Sequence, residues 1–331
     1  MKEVFLDILC CPRCQASLKI QSLSRDEFGI NAGNLSCEKC PATFPVTEGI
    51  PRFVSQKEGA TQERFGFEWM RYPGSLPEDE TIFLEETQVE KREWKNRWVL
   101  DAGCGMGRYS RVAHSLGAHV VALDLGGALA RLQDLAQNSE RLHLVQGDLL
   151  HLPLKKEKFD IIYSLGVIHH TVSPRTCVQA FTQRLKPNGK LTVWVYGRAD
   201  SYQNFKSNPL KLNRKSLEKI RFFVWIIVDL RELLSHSLRS VTVHLPYKLL
   251  YCCCYPLAVF GKIPFFKFLT FSVHPLWRVR LQENFDWLAP PIQSHHTKEE
   301  VKNWFEENRV SVIKILPHGF VPKVGVLGEK K

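Results

Sequence analysis

Apolar and polar positions change rhythm twice along the chain. From residue 98 short apolar runs (WVLDA, HVVALD, LHLVQGD and FDIIYSL) alternate with stretches whose apolar residues recur at helical spacing. The pattern predicts helices from about Arg108 to Leu116, from about Gly127 to Gln137, and from Ser173 to Leu185 with Pro174 in the first turn. KPNG is then expected to turn the chain into a further strand, KLTVWVY. Strands and helices alternating in this way mean βαβ units, hence an α/β fold with a mostly parallel sheet and helices on both faces.

Outside this stretch the rhythm differs. Residues 1–55 combine short apolar runs with turn signals such as Ala32-Gly33-Asn34 and close on TEGIPRF, a small β-rich module. Residues 56–97 are charged and aromatic, with helical spacing in FLEETQVEKREW. After Tyr196 the alternation stops for about a hundred residues, too long for a loop in a compact domain, so 200–296 is expected to be an inserted helical lid. It resumes at Thr297, where TKEE makes a capping box, and VSVIKIL with VPKVGVLG forms a closing hairpin. The division is therefore 1–55, 56–97, 98–199 with 297–331, and the insertion 200–296.

Charge and cysteine usage sharpen this picture. The 331-residue chain has a formal net charge of +11, and residues 198–282 hold 14 Lys and Arg against 4 Asp and Glu, a surplus of 10. One segment makes the protein basic. The start, MKEVFLDILC, lacks the apolar core and cleavage site of a secretory signal, so a cytoplasmic protein is expected. Cys11 with Cys14 and Cys37 with Cys40 form two CxxC pairs 22 residues apart, the spacing of a four-thiolate structural zinc ribbon. Cys10 is an alternative to Cys11 as ligand, and a redox pair is the other reading of the same spacing.

The stretch WVLDAGCGMGR places Gly103, Gly105 and Gly107 at alternate positions behind a strand. Glycine there needs a reason, such as unusual dihedrals or close approach of a ligand to the backbone. The dinucleotide fingerprint is G-x-G-x-x-G, and Arg108 stands where its third glycine would fall, which argues against NAD. The stretch instead resembles the first motif of class I S-adenosylmethionine-dependent methyltransferases, a resemblance that covers Trp98 to Tyr196 and the C-terminal helix and hairpin. It implies a seven-stranded Rossmann-like sheet and S-adenosylmethionine as cofactor. The residues it assigns to the cofactor are Asp101, Ala102, Gly103, Cys104, Gly105, Gly107 and Arg108 at the first strand's end and in its loop; Asp124 and Leu125 at the ribose; Gly147, Asp148 and Leu149 at the adenine; and Ser164 and Leu165 at the end of the fourth strand. LDILCCPRC and CPATFPVTEGIPRF resemble the small zinc proteins that activate RNA and protein methyltransferases, here fused to the enzyme.

Methyl transfer mainly requires alignment, which supplies on the order of 7–11 kcal/mol. If the acceptor must lose a proton, the candidate bases are His169 and His170. The chain lacks the (D/N)PP(Y/F) tetrapeptide of base-amino methylation, and Cys177 falls in a helix, away from any nucleophile loop. ERFGFEWMRY and FDWLAPPIQSHHTKEEV resemble segments of methyltransferases that carry this module; Phe65 and Trp69, four apart, either cover the cofactor pocket or staple the linker to the domain, and Asp286, Trp287, His295 and His296 reach the acceptor pocket, unless His296 only precedes the N-cap. The insertion, with apolar runs such as IRFFVWIIVDL flanked by lysines and arginines, reads as a roof over a small or lipophilic acceptor that touches a membrane surface, as an RNA grip, or as a solvated face. The expected activity is methyl transfer to an unidentified acceptor; RNA methylation and a non-catalytic cofactor-binding scaffold are the alternatives.

Overall fold

The computed structural model describes residues 1–54, 60–71, 74–198, 233–263, 274–316 and 323–331, together with residues 230, 270 and 272. IRFFVWIIVDL lies almost wholly outside the described residues. Two sheets organise the rest. The first is a four-stranded antiparallel meander of β1 (Leu18–Asp26), β2 (Gly29–Cys37), β3 (Thr43–Thr47) and β4 (Ile50–Pro51).

Two helices, α1 (Ala60–Trp69) and α2 (Asp79–Thr87), lead to the second sheet. Its first half alternates strand and helix: β5 (Trp98–Ala102), α3 (Arg108–Ser115), β6 (His119–Asp124), α4 (Gln133–Gln137) and β7 (Leu142–Gln146). Its second half runs β8 (Phe159–Leu165), α5 (Pro174–Arg184) and β9 (Leu185–Tyr196). Then come helix α6 over residues 233–242, α7 (Tyr247–Phe260), α8 (Trp277–Leu288) and α9 (Lys298–Glu307), before β10 (Val310–Leu316) and β11 (Lys323–Lys330). The strand order is β10-β11-β9-β8-β5-β6-β7, with β5 to β9 parallel and β11 antiparallel to both its neighbours.

This is the expected α/β architecture, and its burial explains the near-continuous apolar runs. Leu100, Val121 and Ile162 enter one core layer while Val99, Val120 and Ile161 enter the other, so both faces of each central strand are covered. Thr297 and Glu300 form the capping box at the start of α9.

Three local expectations are corrected. The stretch FLEETQVEKREW is not one helix: α2 ends at Thr87, Gln88 turns left-handed at φ 54°, and a short 3-10 turn follows over Lys91–Glu93. The helix expected over 127–137 is a 3-10 segment, Gly127–Leu132, running into the short α4, with Gly126 as its N-cap offering no side-chain bond. KPNG does not precede the strand but lies inside β9, as an excursion opposite β8 in which Asn188 takes φ 61°.

The cysteine-bearing sheet packs on the edge strand β7 and shares a core with the large sheet, since Phe5, Leu9, Leu35 and Val46 belong to the cluster that includes Val121 and Val145. Phe5 stacks on His143 of β7 at 4.7 Å. Leu9 bridges to Leu154, the Cys10 N–H donates to the Pro153 carbonyl at 2.9 Å, and Arg184 donates to Gln15 Oε1 at 2.7 Å and to the carbonyls of Leu152 and Leu154. The edge of the sheet is thereby covered, which is one way proteins protect an unpaired strand.

The inserted helices are fixed by arginines that a charge count reads as surface. The Arg64 guanidinium on α1 donates to the carbonyls of Val243, Leu245 and Ala289 at 2.7, 2.8 and 3.1 Å. Arg239 donates to the Pro290 carbonyl, and Arg280 to those of Ala258, His274 and Pro275. All three arginines are buried. Part of the basic surplus of the insertion is therefore interior scaffolding.

Gly107 shows how tightly α3 is seated. At φ 84° it caps the helix, and a Cβ there would lie 2.2 Å from Cγ of the fully buried Leu132. Gly107→Ala is expected to lower stability by about 2–4 kcal/mol through left-handed strain and overpacking. Urea denaturation measures it; an unchanged midpoint would mean that Leu132 relocates freely.

Candidate active site

The cleft opens at the carboxyl ends of β5, β6, β8 and β9, where the strand order reverses about β5, the general place for ligands in open α/β sheets. It is a cavity of about 260 Å³. Its floor begins with the loop after β5. The N–H groups of Gly103 and Cys104 both donate to the Leu123 carbonyl, at 2.8 and 3.0 Å, which folds the loop back over the end of β6. Gly103 and Gly105 take φ of 89° and 55°.

At the end of β6, Asp124 receives a peptide N–H on each carboxylate oxygen: Gly105 on Oδ2 at 2.8 Å and Gly126 on Oδ1 at 2.7 Å. Burial raises its pKa, and these N–H groups oppose that rise by stabilising the charge. A carboxylate has about four acceptor sites, so two remain for a diol in the cleft. Asp101 is more deeply enclosed. It accepts from Ser110 Oγ at 2.6 Å, and burial pushes it up to about 7. Asp148 caps the short turn Leu149–His151 by accepting from the Leu150 N–H at 2.9 Å.

Of the residues expected around a cofactor, the cleft is lined by Asp101, Gly103, Cys104, Gly105 and Arg108 from the first loop, and by Asp124, Leu125, Asp148, Leu149 and Leu165 from the later strands. Four others lie behind it. Ala102 gives its carbonyl to the buried Ser164 hydroxyl, Gly147 packs toward Pro153, and Gly107 is spent on helix packing against Leu132. The glycines thus serve two purposes. At Gly103 a Cβ would meet Val167 at 2.4 Å, and at Gly105 it would meet the Trp69 ring at 3.3 Å, so two cleft glycines are also pressed from the side.

Trp69 lines the cleft as expected; the Phe65 side chain lies outside the described residues. Arg108 is held by Asp79, an ion pair of 2.6 Å that is largely buried. His170 reaches the cleft, with Nδ1 2.9 Å from the Ile292 carbonyl, whereas His169 is fully buried behind it. Burial lowers the pKa of His170 to about 4 and that of His169 well below the ordinary range. Both imidazoles are neutral near pH 7. From α8, Asp286 lines the cleft, while Trp287 stacks on Tyr196 at 4.9 Å. His295 lies 5.7 Å from the same ring, and His296 turns away to Trp304 and Glu300.

Sequence reasoning missed Tyr109, Trp194 and Tyr196 as wall residues. The last two were readable in principle, being two apart at the carboxyl end of β9 and therefore on one face.

The four-cysteine group is equally defined. Sγ atoms of Cys11, Cys14, Cys37 and Cys40 all lie within 4.8 Å of one another, with Cys11 to Cys40 at 3.7 Å and Cys14 to Cys37 at 3.4 Å. A tetrahedral ion with Zn–S bonds near 2.3 Å needs sulfurs about 3.8 Å apart. The N–H groups of Lys39 and Cys40 both point at Cys37 Sγ and lower its pKa to about 6. Cys10 stands apart: its thiol faces Gln15 Oε1, and burial pushes it up to about 11. The donor set fits structural zinc, and Cys11 is the residue that joins it.

Comparison with known proteins agrees with this geometry. Residues 100–193 match the family described as Methyltransferase domain, and the chain carries such a domain. Residues 2–49 match the family described as Trm112p-like protein, so the cysteine-bearing sheet is a Trm112p-like zinc-ribbon domain. A probable tRNA methyltransferase 9B of Homo sapiens is 32% identical over 115 residues, covering 34% of this chain and 24% of that protein. A sterol 24-C-methyltransferase of Gibberella zeae is 32% identical over 114 residues, covering 32% and 29%. The chain spans less than a third of the length of these relatives. A solved S-adenosylmethionine-dependent methyltransferase from Mesorhizobium loti superposes with a TM-score of 0.43 at 15% identity, covering 73% of this chain and 94% of that one.

The two domains meet at Gln146. The Phe53 N–H donates to its backbone carbonyl at 2.8 Å, Arg52 Nη1 donates to its Oε1 at 2.6 Å, and its Nε2 donates to the Leu125 carbonyl at 3.0 Å. Removing zinc with a chelator is expected to unfold the ribbon and weaken S-adenosylhomocysteine binding by about tenfold, given the roughly 10–16 kcal/mol such an ion can contribute. Gln146→Ala should weaken binding in the same direction while one zinc per chain is retained. Calorimetry with elemental analysis reads both, and undiminished affinity in both preparations would uncouple the domains.

Proposed function

We propose that the protein is an S-adenosylmethionine-dependent methyltransferase acting on a lipophilic acceptor at a membrane surface. The observation that carries the catalytic half is Asp124, held by the peptides of Gly105 and Gly126 at the open end of the sheet with acceptor sites to spare for the ribose hydroxyls. Bound there, S-adenosylmethionine supplies an activated methyl group on a sulfonium. Asp148 and Leu149 stand at the adenine end, and Arg108, fixed by Asp79, stands on the wall beside Asp101. Trp69 covers the glycine loop and excludes water from one side.

The acceptor half rests on the inserted helices. Tyr196, Leu250, Cys254, Phe285, Trp287 and Leu288 form a cluster of their own beside the cleft. The outer faces of the same helices expose Leu233, Val241, Leu249, Val259 and Phe260, all at least 49% exposed. Lys248, Lys262 and Arg278 are exposed among them. Apolar side chains in this number on an outer face, fringed by cations, suit the boundary of an anionic bilayer better than water. No helix of the described residues is long and apolar enough to cross a membrane. The RNA reading draws on the Trm112p-like ribbon and becomes an outcome of the test below.

Asp124→Ala is expected to weaken S-adenosylmethionine binding by about 100-fold, two charged hydrogen bonds being worth about 3 kcal/mol together. Calorimetry checks this, and unchanged affinity would remove Asp124 from the cofactor site. Transfer of labelled methyl groups should appear in a total lipid extract and not in an RNA extract; label in RNA would favour the second reading, and label in neither would leave a binding scaffold.

For the membrane, sedimentation with phosphatidylglycerol-containing vesicles should retain the whole chain. Val259→Glu combined with Phe260→Glu should abolish retention, since each burial exchanged for a charge reverses about 2 kcal/mol. Equal sedimentation with pure phosphatidylcholine, or no effect of the charges, would count against the surface.

A further inference from the structure

Three acids gather at and behind the acceptor end of the cleft. Asp286 lines it from α8, with Glu283 one turn earlier and Glu68 of α1 buried beside them, behind the wall. Glu68 is 2% exposed, its Oε2 has no hydrogen-bond partner among the described residues, and it and Asp286 repel one another. Glu283 receives the Ser272 hydroxyl, and Asp286 the Tyr196 hydroxyl at 3.2 Å. Arg108 and His274 pair with Asp79 and Glu78 and lend part of their charge to Glu283, whereas burial dominates at Glu68 and Asp286. Arg239, a basic side chain near Tyr196 and His170, gives Nη2 to the Pro290 carbonyl, and the two neighbouring imidazoles are neutral.

Two rings complete the wall. Trp194 and Tyr196 face the same cavity, and Trp287 stacks behind Tyr196. Aromatic faces attract ammonium groups, and a buried carboxylate without a partner is costly until a cation or a proton arrives. A neutral or anionic acceptor would leave Glu68 and Asp286 to be compensated by protons alone.

We propose that the acceptor presents a primary or secondary amine on an apolar body, seated as an ammonium against Asp286, with Glu68 behind it, beside the Trp194 and Tyr196 rings. This deepens the methyltransferase reading and rests on it for the chemistry alone. Before transfer the ammonium proton passes to Asp286, whose pKa burial raises to about 7, so that it accepts a proton more readily than an ordinary aspartate. The freed nitrogen lone pair then forms the N–C bond while the S–C bond breaks and its electrons remain on sulfur. Asp286 is in this reading a catalytic residue, and Glu68 a positioning residue that keeps the site cation-seeking.

Dodecylamine, dodecanol and dodecanoate serve as probes of the full chain, titrated by calorimetry with and without S-adenosylhomocysteine. Dodecylamine should bind at least about tenfold more tightly than dodecanol, and dodecanoate least. Asp286→Asn, Glu68→Gln and their combination preserve shape and should erase the preference while dodecanol affinity stays constant; Tyr196→Phe, which keeps the ring, should retain most of it. Equal affinity for amine and alcohol, or an amine preference that survives the double variant, would overturn the proposal. So would variants that lose only the preference for S-adenosylmethionine over S-adenosylhomocysteine, because the acids would then serve the sulfonium. S-adenosylhomocysteine affinity of the unaltered chain is read in the same titrations: its absence would sink the methyltransferase reading, whereas its presence without amine preference would sink this inference alone.

Discussion

The hydrogen bonds around Gln146 are the constraint on which the cleft depends. Its side chain ties the Leu125 carbonyl, next to Asp124, to Arg52 at the end of the zinc ribbon, and its backbone carbonyl takes the Phe53 N–H. Gly147 and Asp148 follow directly, and the Gly147 N–H returns to the Asp124 carbonyl at 2.9 Å. The carboxylates of Asp124 and Asp148 are therefore positioned through a residue bonded to both domains. A ribbon of about fifty residues has too small a core to be rigid alone, and thiolate ligation supplies the missing stability. Metal binding far from the cleft thus becomes stiffness at its floor.

The cleft has two ends of different construction. Loops at the ends of β5, β6 and β7, short and satisfied by peptide hydrogen bonds, make one end; their geometry follows from the sheet. The other end is enclosed by side chains from α1, α8 and β9, with α6 and α7 behind them, and follows from tertiary packing of segments far apart in the chain. The first end suits a cofactor of fixed shape. Relatives with acceptors as unlike as tRNA and sterols in their names align with about a third of this chain.

What could be read from sequence follows the same division. The parallel sheet, the glycine loop, Asp124 and Asp148 at strand ends, Thr297 as an N-cap and the four cysteines were legible because each depends on local spacing. Gly107 was assigned to the cofactor, yet its lack of a side chain is needed by Leu132, a contact between residues 25 apart that no local pattern reveals. KPNG resembled a turn because its residues are turn formers; pairing of β9 with β8 on both sides of the excursion overrode them. His169 and His170 form an adjacent pair, but only burial separates the one on the cleft wall from the one behind it. Arg239 and Arg280 counted as surface charge until the carbonyls at the ends of α7 and α8 were seen to need donors.

Arg64 carries a mechanical consequence. A guanidinium is a flat, rigid fork, and this one grips three carbonyls from the stretches that begin α7 and end α8 while riding on the same helix as Trp69 five residues later. A shift of those helices to admit a guest therefore drags α1 and swings the indole across Gly105.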